Sequence, residues 1–320
     1  MKADSVRTIF YALFANLAIA AAKTAAAIAT GSSAMLAESI HSYADSGNQG
    51  LLLWGLKRAK RPPTPDYPLG YGKAVFFWSF IVALVLFSLG GLFSLYEGWH
   101  KLAHPEPLSY PWVAVGILVF ALAAEAVSLR ACLHEVNKVR NGRSLWRWFR
   151  ESRQSELVVV LGEDLAALLG LLLALIAVVI TMLTGDPMWD ALGSMSIGVV
   201  LIIVAIGIAV EIKGLLIGQS ADPEVEARLR RFLESQAHIE KIYRILTLQL
   251  GTSLMVSVKA CMKGASAREV VDSIFKIAAH CSGVTGMIDS RLPRASRGMR
   301  ASLGFARNSA SAMGRFTFRR

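Results

Sequence analysis

The sequence predicts a mainly α-helical membrane protein: six transmembrane helices followed by a small cytoplasmic α+β domain. Three observations carry that prediction. Of the 320 residues, 54% are hydrophobic, and six segments are long and apolar enough to span a hydrocarbon core of about 30 Å. Lys and Arg collect in alternate connections between those segments. Beyond Gly218 the long apolar runs stop, and the shorter periodicities of amphipathic helix and alternating strand take over. The boundaries read this way are a transmembrane domain over 1–215, an α+β domain over 216–285 and an Arg-rich tail over 286–320.

The spans are expected near 8–30, 33–56, 76–98, 111–134, 157–183 and 188–213. GSS joins the first to the second and TGDPMW the fifth to the sixth, so each pair is an antiparallel hairpin. The second connection carries Lys57, Arg58, Lys60, Arg61 and Lys73, and the fourth carries Lys138, Arg140, Arg143, Arg147, Arg150 and Arg153. The odd-numbered connections offer Lys101 alone. Positive charge stays on the cytoplasmic side, which puts both termini there. The same loops account for the net charge of +11 without a nucleic-acid partner. The first apolar run continues past signal-peptide length into a second span, so no cleaved leader is expected. Cys132, Cys261 and Cys281 have neither CxxC spacing nor a disulfide pattern.

Span one is alanine-rich, with Asn16 and Lys23 seven residues apart on one face. Small residues permit close helix packing, and both polar groups read as structural, with Glu38 one candidate partner for Lys23. Span two, GSSAMLAESIHSYADSGNQGLLLW, carries Glu38, His41, Asp45, Asn48 and Gln49 at membrane depth. Ionisable groups there cost roughly 2.5–3.5 kcal/mol each unless something pairs with them. His41 and Asp45 are four apart and share one helix face. An imidazole nitrogen and a carboxylate oxygen so placed make half of a tetrahedral site for a borderline divalent cation, zinc above all.

Glu125 is the one acid in the apolar run of span four, readable as an ion-path residue or as a countercharge to Lys23. Span five holds Glu163 and Asp164 side by side in LVVVLGEDLAALLG. Neighbours on a helix point about 100° apart, so the two cannot reach the same spot. Asp164 is the ligand candidate, while Glu163 is left as a side ligand, a hydrogen-bonding group or a proton carrier. Acids from two helices converging on one point are how helical bundles build metal sites. In span six, Asp190, Ser194 and Gly198 form a row suited to close packing, with Asp190 a cap or an outer-mouth charge.

The soluble part begins with DPEVEARLRRFLESQ, an amphipathic helix with Pro near its first turn. KIYRILTLQLG and TSLMVSVKACM alternate as strands around a turn at Gly251-Thr252. ASAREVVDSIFKIAAH reads as a second helix, with Ser266 and Glu269 as a capping box. The order α-β-β-α makes an incomplete ferredoxin-like domain, because no clean closing strand follows. From Arg291 onward there are eight arginines, no lysine and no acid. That composition predicts disorder. It is also what an out-of-frame reading of a GC-rich coding sequence would produce.

TGSSAMLAESIHSYADSGNQ, PLGYGKAVFFWS, GDPMWDALGSMSIG and ADPE, in this order over about residues 8–280, resemble the cation diffusion facilitator family of divalent-metal/proton antiporters. The resemblance implies a site between spans two and five. His41 and Asp45 match the span-two ligand pair, and Asp164 matches the second ligand of span five. Val160 stands where the family commonly has His or Asp, which leaves Glu163 as the nearest substitute. The family's histidine-rich loop is replaced by an Arg/Trp-rich one. Its cytoplasmic metal site has only His238, Cys261 and His280 as remnants here.

The expected function is therefore secondary transport by a homodimer in a bacterial inner membrane. A divalent cation, zinc first and iron, manganese or cobalt as rivals, would leave the cytoplasm in exchange for protons. The metal is cargo, and no resident cofactor is implied. No Walker A sequence points to ATP-driven pumping. A metal-dependent intramembrane hydrolase would use His41, Asp45 and Asp164 around a water, but no HExxH or nucleophile motif accompanies them. A non-transporting scaffold or metal sensor is the main alternative.

Overall fold

The computed structural model describes the backbone of residues 3–236, 239–262 and 311–317. Its described residues divide into two units, the first within 3–58, 74–150 and 154–213, the second of 59–73, 151–153 and those from Gly214 onward.

In the first unit, α1 (Ala3–Thr30) and α2 (Ser33–Ala59) are joined through Gly31 and Ser32. Next come α3 (Ala74–Val85), a π-helical segment over Leu86–Leu92, and α4 (Phe93–Ala103), which together make one continuous stretch. Helix α5 (Pro111–Val139) starts on a proline, whose missing N–H costs nothing in a first turn. A short α6 (Leu145–Glu151) leads to α7 (Ser155–Thr184), which ends at Gly185 with φ 72°, the left-handed conformation that glycine adopts freely. Helix α8 (Met188–Ile217) completes the series.

Among the described residues, four stretches are long and apolar enough to cross a membrane: Ala74–Ala103, Pro111–Val139, Ser155–Thr184 and Met188–Ile217. Asn16–Thr30 is a shorter apolar helix, and the polar residues of α2 keep it below the same threshold. Length and apolarity thus support four of the six expected spans. Leu165, Leu169, Leu172 and Ile176 line an exposed face of α7, and Ile203, Ile206 and Val210 one of α8. Apolar faces of this extent suit lipid contact.

Small residues bring α4 and α8 together. A Cβ on Gly98 would stand 2.6 Å from the Ala191 carbonyl oxygen, so only glycine permits this approach. Ser194 Oγ donates to the Ser94 carbonyl at 2.9 Å across the same seam. Trp148 of α6 is buried with Leu129, Cys132 and Val136 of α5 and with Val158 and Leu161 of α7. The Arg/Trp-rich connection is therefore anchored by its tryptophan rather than wholly solvated.

In the second unit, α9 (Pro223–Glu234) is capped by Asp222, whose side chain accepts from the Glu224 N–H at 3.0 Å. Strands β1 (Ile239–Leu250) and β2 (Ser253–Met262) pair antiparallel around Gly251-Thr252, where the alternation places the turn. Gly251 has φ 62°, as a tight turn requires. Leu229 and Leu233 of α9 bury against Ile239, Ile245, Leu254, Val256 and Ala260 of the hairpin.

The tail departs from its expected lack of secondary structure. Ser311–Thr317 forms β3, antiparallel to β2 in the order β1-β2-β3, with Cys261 opposite Ser311 and Met255 opposite Thr317. An open sheet edge presents unpaired N–H and C=O groups, and any extended segment can satisfy them through its backbone, whatever its composition. The second helix expected around Ser266, the rest of the tail, His238 and His280 lie outside the described residues.

Candidate metal centre

Glu38, His41, Asp45 and Asn48 recur at intervals of three or four along α2 and form one polar face. Glu38, His41 and Asn48 are fully buried, and the Asp45 side chain is 19% exposed. His41 Nε2 lies 3.4 Å from Asp45 Oδ2, within ion-pair range but without hydrogen-bond geometry. Both imidazole nitrogens and Asp45 Oδ1 are buried and make no hydrogen bond among the described residues. The π-helical segment passes beside this ring, and a Cβ on Gly90 would come within 3.9 Å of His41 Nδ1. Such segments interrupt α-helices most often at functional sites.

The two neighbouring acids of α7 part company. Glu163 is buried and accepts from Asn48 Nδ2 of α2 at 2.6 Å. Asp164 turns to α5, where Ser128 Oγ donates to Oδ1 at 3.4 Å and the Cys132 thiol stands beside the carboxyl. Its Oδ2 is buried without a hydrogen-bond partner among the described residues. Val160 packs with the apolar cluster around Trp148 and offers no ligand. Among the described residues, no three His, Cys, Asp or Glu side chains stand close enough to hold a metal ion. His41 with Asp45, Glu163, and Asp164 occupy neighbouring positions in one basin rather than a closed cage.

Two more groups complete the basin. Lys23 of α1 is 1% exposed, with its Nζ 3.4 Å from Glu38 Oε2 and donating to Ser42 Oγ at 2.7 Å. Glu125 of α5 lies within electrostatic reach of Lys23, Glu38, Asp45 and Asp164. Glu38, Asp45 and Glu125 thus share the buried ammonium of Lys23, and Glu163 and Asp164 stand beside them.

Asp190 belongs elsewhere. Its carboxylate accepts from Ser32 Oγ at 2.5 Å, from the Ser33 N–H at 2.7 Å and from Ser33 Oγ at 2.9 Å. Lys101 Nζ lies 3.2 Å away and also donates to the Gly31 carbonyl. An anion at the N-terminus of α2 satisfies its first free N–H groups. The residue is a fully buried clamp that ties the α1–α2 joint to α4 and α8.

The acid- and histidine-lined face of α2, opposed by the acids of α7, falls inside a match to a family model, the cation efflux transmembrane domain, over residues 9–217. The chain belongs to the cation efflux family. Among its relatives, the proton-coupled zinc antiporter SLC30A9 of Homo sapiens is 34% identical over 226 residues, 70% of this chain and 40% of that protein. Metal tolerance protein C4 of Arabidopsis thaliana is 30% identical over 75% of this chain and 53% of its own length. Magnetosome protein MamB of Magnetospira sp. is 22% identical over 78% of this chain and 80% of its own. The chain therefore spans less than half of the antiporter it matches.

Within this cation efflux chain, Lys23 belongs to the basin rather than to helix packing alone, and so do Ser128 and Cys132 beside Asp164. A signal for the latter was present. Glu125, Ser128 and Cys132 sit at i, i+3 and i+7 of α5, a polar row directed at one neighbour. Cys261 of the expected cytoplasmic remnant contacts Glu240 Oε2 at 3.6 Å.

Proposed function

We propose that the chain is a secondary transporter that moves a divalent cation, zinc first, out of the cytoplasm in exchange for protons. The observation that carries this reading is the charge imbalance of the basin, where Glu38, Asp45 and Glu125 lie within reach of Lys23 and Glu163 and Asp164 add two further carboxyl groups beside them. In a low-dielectric interior the excess negative charge needs cations, and a divalent metal and protons are the two kinds that carboxylates exchange. The unbonded nitrogens of His41 and the free oxygens Oδ1 of Asp45 and Oδ2 of Asp164 are donor atoms with no hydrogen-bond partner among the described residues. A buried polar atom without a partner costs about 1–3 kcal/mol, so their retention points to a ligand. An imidazole among oxygens favours zinc over the harder ions.

His41 and Asp45 hold the metal from α2, and Glu163, which Asn48 ties to that helix, joins them from α7, with Asp164 the alternative ligand there. The acids rebind protons on release, and inward and outward access alternate around this fixed basin. Six spans with both termini in the cytoplasm accord with the basic connections, and α2 crosses the membrane despite its polar face because that face is turned inward. The working unit is a homodimer in an inner membrane, as the family resemblance implies.

The test is zinc flux into proteoliposomes under an imposed proton gradient. Uptake that follows the gradient and collapses when it is dissipated is expected. Binding without flux in either direction would establish a sensor instead.

A further inference from the structure

Lys23 is the feature that metal exchange does not require. Burying an ammonium inside a cation-binding basin works against the cargo, yet Lys23 is 1% exposed and tied to α2 through Glu38 and Ser42. Glu38 lies one turn before His41 on the ligand face. One of its oxygens is held 3.4 Å from Lys23, while the other, Oε1, is buried and makes no hydrogen bond among the described residues. Gly170 of α7 faces that oxygen so closely that a Cβ there would collide with it. Glu38 thus has the position and the free donor atom of a third α2 ligand, but its charge is already engaged.

We propose that Lys23 is a tethered cation that keeps Glu38 out of the metal's ligand set and so caps the affinity of the His41–Asp45 site for its cargo. This rests on the transport reading above. A transporter must bind its ion strongly enough to load and weakly enough to release. A third carboxylate on α2 would favour retention over release. An ammonium fixed to the protein opposes that, because it neutralises Glu38 without leaving with the metal and repels a divalent ion one turn away. Ser42 holds the ammonium in place when Glu38 shifts.

The experiment is equilibrium zinc binding to the purified full chain in detergent, paired with flux in proteoliposomes. K23M, which keeps the length of the side chain and removes the charge, is expected to bind zinc at least tenfold more tightly and to turn over more slowly. K23R should stay within threefold of the wild type. K23M/E38Q should return to within threefold of wild-type affinity, because the liberated ligand has been removed. If K23M does not fold, K23Q with K23Q/E38Q makes the same comparison. Unchanged or weaker binding by the charge-removing variant overturns the proposal, as does a double variant that stays tight. A wild-type chain that binds no divalent cation would sink the transport reading itself, which sets that failure apart.

Discussion

Asn48 donates from Nδ2 to Glu163 Oε1 at 2.6 Å, a buried bond that ties the polar face of α2 to α7. Through it Glu163, rather than its neighbour Asp164, is turned towards the helix that carries His41 and Asp45. The Glu163 carboxyl also lies within electrostatic reach of Asp45. Glu163→Gln is therefore expected to lower metal affinity and flux more than Asp164→Asn, by about tenfold or more. Parallel zinc titrations of the two variants decide it, and a larger loss in Asp164→Asn would return the leading role to Asp164.

Asp45→Ala removes a donor atom without removing any hydrogen bond that Asp45 makes, since its Oδ1 is unbonded and its Oδ2 only approaches His41. Flux should fall by about a hundredfold, while the melting midpoint in detergent stays within a few degrees of the wild type. A variant that keeps wild-type flux would remove Asp45 from the site.

Selectivity should follow the imidazole. His41→Asp turns the α2 pair into an all-oxygen one, and the preference should move from zinc towards manganese. Competition between the two ions in a flux assay reads the shift. An unchanged ratio would mean that His41 does not touch the metal.

Metal binding should release protons. Carboxyl groups that outnumber the buried ammonium cannot all give up their protons until another cation arrives. Calorimetric zinc titrations in buffers of different ionisation enthalpy should therefore give different apparent enthalpies. Equal enthalpies in every buffer would separate metal binding from proton exchange.

The clamp at Asp190 makes a prediction about stability rather than transport. Asp190→Ala strands the buried Lys101 and the N-terminus of α2, and breaking such a pair costs roughly 3–5 kcal/mol. The variant should melt well below the wild type. Lys101→Met should cost less, because Ser32 and Ser33 still bond the carboxylate.

Periodicity along one chain determined much of this protein. The i, i+4 spacing of His41 and Asp45 fixes a shared helix face, because every α-helix turns by the same 100° per residue. Alternation around Gly251-Thr252 located the hairpin, since strand pleating and a two-residue turn are local geometry. Helix–helix partners are a different matter. Which of Glu163 and Asp164 meets α2, and that Lys23 finds both Glu38 and Ser42, depend on how α1, α5 and α7 rotate about their own axes. That rotation is set by the packing of small residues against distant helices, such as Gly98 against Ala191, and no local pattern encodes it. Asp190 makes the same point. In sequence it is an acid near a helix start, and only the folded chain brings it to Ser32, Ser33 and Lys101, because those groups lie on separate helices that tertiary packing alone brings together.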